Sequence, residues 1–134
     1  MTHPPIPEDV RRFILTSVPS VPFLEALLLL RADPARQWDG AMLAGRLYIG
    51  ERVAADLLQA LCTAGMARRC EPQADPTASQ PPCCYAPGEA LRERIDRLAE
   101  VYARQLVDVT HLIHSSLDRK AQQFADAFRL RKDA

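Results

Sequence analysis

One stretch in the first half of the chain most restricts how the protein can fold. Asp39 suits the N-cap of a short helical pattern over residues 42–47, and residues 48–50 are typical of a tight turn. A second helical pattern starts at Glu51, and Gly65 ends it as a residue that tolerates a left-handed backbone. Its apolar positions repeat in steps of three and four: Val53, Ala54, Leu57, Leu58 and Leu61. The stretch therefore predicts two short helices that cross around a turn.

Two further helical patterns precede this stretch. A proline followed by two acids at residues 7–9 is typical of a helix start, because proline fits the first turn and acids face its positive end. Pro19 ends this first helix, since the residue before a proline avoids the α conformation. A second, leucine-rich helix is predicted over residues 22–32, almost all of it buried, and residues 36–38 form a short extended piece.

We call the two crossed helices the first and second motif helices. Two short strands are predicted after the second motif helix. Residues 66–71 and residues 82–86 have strand-like patterns. The segment that joins them, residues 72–81, is rich in Pro, Ser, Thr and Asp and is predicted to be a loop. The two strands and this loop together predict a small β-hairpin that projects as a wing.

The last third of the chain is helical in pattern. A long helix is predicted from Gly88 to about Ser115, where Ser115 and Asp118 have the form of a capping box that begins a final helix. Gln105 is the one polar interruption in a seam of apolar residues with heptad spacing. The apolar members of this seam are Leu91, Ile95, Leu98, Tyr102, Val109 and Leu112.

The length of this predicted helix bears on the oligomeric state. About 28 residues of helix extend roughly 42 Å, which is more than a small domain can cover. We therefore expect the seam to pair with a second copy of the chain, since a symmetric dimer is the commonest way to bury such a surface. The alternative is that the seam folds back on the first two helices of the same chain.

The crossed helices and the glycine reversal also carry a family resemblance. The residues concerned are Leu43, Ala44, Leu47, Ile49, Ala54, Leu58, Leu61, Ala64, Gly65 and Met66. Together with the element order, they resemble the winged helix-turn-helix domain of bacterial transcriptional regulators of the MarR family. The resemblance implies a mainly α fold with a small β-wing, a winged domain over residues 1–87 that includes the N-terminal helix, and a helical dimerisation segment over residues 88–134. It also implies a dimeric regulator of transcription that binds DNA.

The same resemblance indicates where DNA would be contacted. Arg52 and Gln59 lie on the predicted outer face of the second motif helix and have side chains that can bind phosphates or base edges. Arg68 and Arg69 begin the wing, and Arg46 lies beside the motif. We expect these five residues to contact DNA. For the arginines outside the motif helix, the alternative is an ordinary solvated surface charge.

The charge of the chain favours a second hypothesis. It has 17 basic and 17 acidic residues, so no global positive field attracts nucleic acid. Glu51 and Asp56 are predicted on the outer face of the second motif helix, where they would repel phosphates, and Val53 and Leu57 are apolar residues on that face. The alternative function is therefore a winged-helix module that has lost DNA binding and contacts another protein through Val53 and Leu57.

The remaining sequence predicts little other chemistry. Cys70, Cys83 and Cys84 come close if the two strands pair, and three thiols could bind Zn²⁺ or act as a redox switch. Neighbouring strand residues point to opposite faces, however, so we take the cysteines first as small buried residues and expect no metal and no cofactor. The chain has no glycine-rich phosphate loop and no nucleophile motif, so we do not expect an enzyme.

The N-terminal sequence and the apolar runs bear on the compartment. The longest apolar run, residues 26–30, is far shorter than the roughly 20 residues of a membrane span. Acids at residues 8 and 9 precede any apolar stretch, which is not the pattern of a signal peptide. We therefore expect a cytoplasmic protein that has no contact with membranes.

Overall fold

The computed structural model describes residues 4–70 and 81–132 of the 134-residue chain. These residues are mainly helical and include a small antiparallel sheet of two strands. The predicted loop over residues 72–81 lies outside the described residues, apart from Pro81. In chain order the elements are α1 (Glu8–Ser17), α2 (Val21–Ala32), α3 (Gly40–Leu47), α4 (Glu51–Thr63), β1 (Ala67–Arg69), β2 (Cys83–Tyr85), α5 (Glu89–Arg104) and α6 (Leu106–Lys132).

The described residues cluster in two compact units. The terminal unit comprises Met1–Val21 and Arg97–Ala134, and the central unit comprises Pro22–Asp96. This division differs from the predicted boundary between residues 87 and 88. The N-terminal helix α1 belongs with the C-terminal helices, because it packs against α6, whereas the first half of α5 belongs to the central unit.

In the terminal unit, α1 begins as its sequence predicts. Pro7 precedes the helix, and Glu8 and Asp9 occupy its first turn. The Arg97 guanidinium lies beside Asp9, with Nε 2.6 Å from Oδ2, and its hydrogen bond lowers the pKa of the Asp9 carboxyl below the usual range. This ion pair joins α1 to α5 within the unit, and because both side chains are mostly exposed its contribution to stability is small.

The C-terminal helix breaks at Gln105 and not at Ser115, so the predicted position of the break was wrong. The Gln105 side-chain amide donates to the carbonyl oxygen of Pro4 at 2.6 Å and to the Asp108 carboxylate at 3.2 Å. Backbone hydrogen bonds from Gln105 to Val101 and from Val109 to Gln105 continue through the break, which is therefore local. Ser115 lies inside α6, whereas a capping box requires its serine at a helix end.

The predicted apolar seam is largely covered by the chain itself. Ile95, Leu98 and Val109 have no exposed surface, and Tyr102 is 8% exposed. Leu91 and Leu112 are half-buried. This burial contradicts the expectation that the seam needs a second chain to cover it. In the terminal unit the packing of α1 against α6 agrees with the alternative that the C-terminal helices fold back on the chain's own N-terminal helix.

The central unit contains the two short helices that the sequence predicts. The Asp39 carboxylate caps α3 by accepting a hydrogen bond from the Met42 backbone nitrogen at 2.8 Å. Helix α3 packs against α4, and α4 packs against β1. Gly65 follows α4 with a φ of +77°, a left-handed backbone that glycine adopts without a steric penalty. This reversal leads the chain directly from α4 into β1.

The sheet is short and has a defined register. In the pairing of β1 with β2, Arg68 lies opposite Cys84 and Arg69 lies opposite Cys83. Trp38, from the predicted extended piece, adds a β-bridge to Cys83 through two backbone hydrogen bonds of 2.7 and 2.8 Å. The Arg36 guanidinium lies over the Trp38 ring at 5.2 Å from its centre. The segment before α3 is thereby attached to the inner strand of the hairpin.

Candidate nucleic-acid interface

The crossing of α3 and α4 determines which surface α4 presents. The two helices approach closely where α3 begins, since a Cβ atom added to Gly40 would lie 3.4 Å from the Glu51 carbonyl oxygen and 3.7 Å from the Ala55 Cβ. At the other end of α3, Tyr48 adopts a left-handed backbone with a φ of 56° and ends the helix. The buried residues of the pair, Leu43, Ala44, Ala54, Leu58 and Leu61, face the interior. The opposite side of α4 is left facing solvent.

Three of the five residues predicted to bind DNA are exposed arginines. Arg46 lies in the last turn of α3, Arg52 in the first turn of α4, and Arg68 in the middle of β1. All three belong to the central unit. An arginine that is exposed in this way can reach a phosphate without first losing a protein partner.

The other two predicted residues, Gln59 and Arg69, bind each other. The Arg69 guanidinium donates to Gln59 Oε1 at 2.8 Å and to the Pro81 carbonyl oxygen at 3.0 Å, and the Gln59 amide lies 3.4 Å from the Thr63 hydroxyl. These hydrogen bonds join α4 to the end of β1 and to Pro81, which precedes β2. The contact of Gln59 and Arg69 with DNA stays a prediction. To reach DNA, either side chain would have to share or break its hydrogen bonds with the other.

The outward side of α4 carries mixed chemistry. Glu51, Arg52, Val53, Asp56 and Gln59 are exposed, as predicted from the helical pattern. Val53 is 50% exposed, so an apolar group does face solvent. Leu57, the second apolar residue predicted on this face, is half-buried and exposes less surface than Val53. Two carboxylates and one guanidinium on one helix face give it no net positive charge, which weakens the attraction to phosphate.

Tyr48 is the residue of this region that the sequence analysis did not single out. Its side chain is 95% exposed and it occupies the turn between α3 and α4. A bulky residue with a positive φ is uncommon, and such conformations concentrate at functional positions. The signal in the sequence was an aromatic residue inside a predicted turn, where a small or polar residue is the usual choice.

The four cysteines lie where β1 ends and β2 begins, as two thiol pairs. The Cys62 and Cys83 sulfur atoms are 3.5 Å apart, and the Cys84 thiol is near enough to Cys70 to contribute to the raised pKa of Cys70. Burial raises the pKa of Cys70 to about 11 and that of Cys83 to about 12. Cys83 and Cys84 are neighbours on β2, and successive side chains of a strand extend from opposite faces. The sequence analysis missed Cys62, because its approach to β2 depends on tertiary packing.

The described part of the chain contains the residue types that commonly bind metal ions. Its His, Cys, Asp and Glu side chains include no group of three placed to hold a metal ion. No single helix among the described residues is both long and apolar enough to cross a membrane, although α1 and α2 reach that criterion when they are counted together.

No protein-family model matches the chain, and no curated protein sequence matches it.

Proposed function

We propose that this protein is a winged helix-turn-helix regulator of transcription that binds double-stranded DNA as a homodimer in the cytoplasm of a bacterial cell. The observation that carries the proposal is the position of Arg52, exposed in the first turn of the second helix of a crossed pair. In helix-turn-helix proteins the first turn of the second helix contacts base edges in the major groove.

The elements around α4 support the same function. In this interpretation α3 is the first motif helix, α4 is the recognition helix, and the hairpin of β1 and β2 is the wing. Arg46 at the end of α3 and Arg68 on β1 would bind backbone phosphates on either side of the groove, and the exposed Tyr48 hydroxyl would be a further phosphate ligand. The β-bridge from Trp38 anchors the wing to the segment before α3 and so keeps these groups in fixed positions.

The test is a titration of the full-length chain with fluorescent duplex DNA at several salt concentrations. Each phosphate contact contributes roughly 0.9 to the slope of log affinity against log salt, so a few arginine contacts give a steep loss of affinity as salt rises. The double variant Arg52→Ala with Arg68→Ala is expected to bind at least about tenfold more weakly at low salt and to show a shallower salt slope.

The matched control is the double variant Arg94→Ala with Arg104→Ala. Both are exposed arginines on α5, away from α3, α4 and β1 in the sequence, so the control removes the same two charges as the test variant and leaves the assigned contacts in place. It is expected to leave DNA affinity within about twofold of the unaltered chain, because long-range charge effects are screened. Equal losses from the control and from the test variant would mean that only net charge matters and would contradict the assigned contacts.

A second function is favoured by the exposed apolar side chains next to this surface. Tyr48 is 95% exposed and Val53 is 50% exposed, and Glu51 and Asp56 lie beside them. Exposed apolar groups ringed by polar ones are typical of a protein contact. No binding to any duplex at low salt, in the titration above, would favour an interaction module that contacts another protein through Val53 and Leu57.

The homodimer of this proposal needs a different surface from the predicted seam. Four of the six seam residues are buried in the single chain. Among the residues of α6 whose burial the structure describes, the exposed large apolar ones are Leu106, Val107, Leu117 and Phe124. We assign the dimer contact to these residues, because burying apolar side chains of this size is the usual source of stability in a dimer.

A further inference from the structure

The thiols of Cys62 and Cys83 lie close enough together to suggest that they can form a disulfide. Cys62 lies in the last turn of α4, Cys83 begins β2, and their sulfur atoms are 3.5 Å apart in the reduced chain. A disulfide requires a sulfur–sulfur distance of about 2 Å, so the two atoms have to approach by roughly 1.5 Å.

The two members of the pair differ in access to solvent. Cys83 has no exposed surface, whereas Cys62 is half-buried and can be reached by a small reagent. The second thiol pair, Cys70 with Cys84, lacks this asymmetry because both of its members are buried. A reagent from solution therefore meets Cys62 first, and Cys83 is the thiol in position to react next.

We propose that Cys62 and Cys83 are a reversible redox pair, which a small-molecule disulfide of the glutathione class converts to a disulfide between α4 and β2. The Cys62 thiolate attacks one sulfur of oxidised glutathione, a mixed disulfide forms, and one glutathione thiolate leaves. The Cys83 thiolate then attacks the Cys62 sulfur, the bond to glutathione breaks, and the second glutathione thiolate leaves. Two electrons pass from the cysteines to glutathione, and the two thiol protons end on the glutathione thiols.

The second step requires the Cys83 thiolate. Burial, together with the neighbouring Cys62 thiol, raises the pKa of Cys83 to about 12 in the reduced chain, and burial, the larger cause, still raises it once Cys62 carries glutathione. The other groups that face Cys83 are the Arg69 guanidinium on β1, which lowers its pKa, and the Cys70 thiol beyond the end of β1, which raises it. Because the attacking species is the thiolate, closure is expected to be slow at pH 7 and to accelerate about tenfold per pH unit.

The consequence is a covalent link between the end of α4 and the hairpin. In the reduced chain this junction is held by the hydrogen bonds of Arg69 with Gln59 and Pro81. The disulfide adds a bond that does not depend on those contacts. The proposal stands on the thiol geometry alone and does not depend on what the surface of α4 binds.

The experiment uses the reduced full-length chain in buffers with set ratios of reduced to oxidised glutathione. After acid quenching and alkylation, peptide mass spectrometry assigns the state of each cysteine. The expected product contains one internal disulfide, Cys62 to Cys83, with Cys70 and Cys84 alkylated, and dithiothreitol reverses it. A Cys70–Cys84 disulfide as the main product, disulfides only between chains, or no internal disulfide would each overturn the proposal.

Two variants separate the steps. Cys83→Ala is expected to stop at the mixed disulfide of Cys62 with glutathione, whereas Cys62→Ser should leave Cys83 unmodified because the reagent does not reach it. Cys70→Ser is the matched control and should still close the Cys62–Cys83 bond. Circular dichroism of each variant checks that it folds, and the assignment in the unaltered chain needs no variant. Glutathione on Cys83 in the Cys62→Ser chain would contradict the assigned order of attack.

Discussion

The Tyr85 hydroxyl has no hydrogen-bond partner among the described residues, although it lies in the interior of the central unit. The side chain is 9% exposed and the oxygen itself has almost no contact with solvent. A buried polar group without a partner costs about 1–3 kcal/mol. We therefore expect Tyr85→Phe to raise the free energy of unfolding by roughly 1 kcal/mol at neutral pH, measured by urea denaturation.

The pH dependence of Tyr85→Phe follows from the titration of the hydroxyl. Burial, with the Asp96 carboxylate as a second cause, raises the pKa of Tyr85 above its usual value of 10, against the opposing effect of Arg31 and Arg92. Because the pKa of Tyr85 is higher in the folded chain than in the unfolded chain, the folded state loses stability as the pH rises above the pKa of the unfolded chain. The advantage of the phenylalanine variant should therefore widen above pH 10.

The control for this prediction is Tyr48→Phe, which removes a hydroxyl from a side chain that is 95% exposed. It is expected to leave the unfolding free energy at neutral pH unchanged within about 0.5 kcal/mol, since surface substitutions away from special features have small effects. A loss of stability in Tyr85→Phe at neutral pH would mean that its hydroxyl is satisfied after all.

At the scale of the elements, local sequence signals predicted the central unit well. The Asp39 cap and the reversal at Gly65 lie where their residue types predict, because capping and turn preferences act within a few residues. The outward face of α4 followed equally from helical periodicity. These features sufficed to predict the two short helices and the solvent-facing side of α4, whereas the DNA contacts assigned to that side stay a prediction.

The elements that the sequence did not predict depend on contacts between distant residues. The helix break occurs at Gln105, whose amide bonds to Pro4 about 100 residues earlier in the chain. The hydrogen bond between Gln59 and Arg69, and the approach of Cys62 to Cys83, also arise from packing between elements. Periodicity reports which face of a helix is apolar, but not which part of the chain covers that face. The seam of α5 and α6 was misjudged for this reason.

Two glycines of the central unit allow a matched test of the backbone. A Cβ atom would meet nothing within 4 Å at Gly65 or at Gly45, so neither substitution creates a clash. Gly65 has a φ of +77°, where an L-residue is disfavoured by about 1–2 kcal/mol, whereas Gly45 lies inside α3. Gly65→Ala is expected to destabilise the protein by about 1 kcal/mol and Gly45→Ala to stabilise it by roughly 0.5–1 kcal/mol.

Chemical denaturation of both glycine variants under one set of conditions checks the sign of each effect. The two substitutions add the same methyl group, so a difference in sign isolates the backbone conformation from side-chain packing. If Gly65→Ala were as stable as the unaltered chain, the left-handed reversal between α4 and β1 would not be present in solution. The predicted turn into the wing would then lose its physical basis.

At the scale of the whole molecule, the question is which surface holds two copies together. Leu106, Leu117 and Phe124 on α6 are 53%, 40% and 73% exposed. They are 11 and 7 residues apart, which places all three within about 20° of one another around a helix of 3.6 residues per turn. A stripe of this kind along one helix pairs naturally with the same stripe on a second copy, as in coiled coils. The buried seam offers no comparable surface.

Sedimentation velocity over a range of protein concentrations tests this assignment. The unaltered chain, 15.0 kDa as a monomer, is expected to sediment with twice that mass at micromolar concentration. Leu117→Glu with Phe124→Glu should weaken the dimer by about a hundredfold or more, because each buried side chain of this size contributes roughly 1.5–3 kcal/mol. Ala90→Glu with Ala103→Glu adds the same charge at exposed positions of α5 and should leave the dimer intact. A monomer at every concentration would reject the homodimer. Equal dissociation of both double variants would show that added charge, and not loss of the α6 stripe, separates the copies.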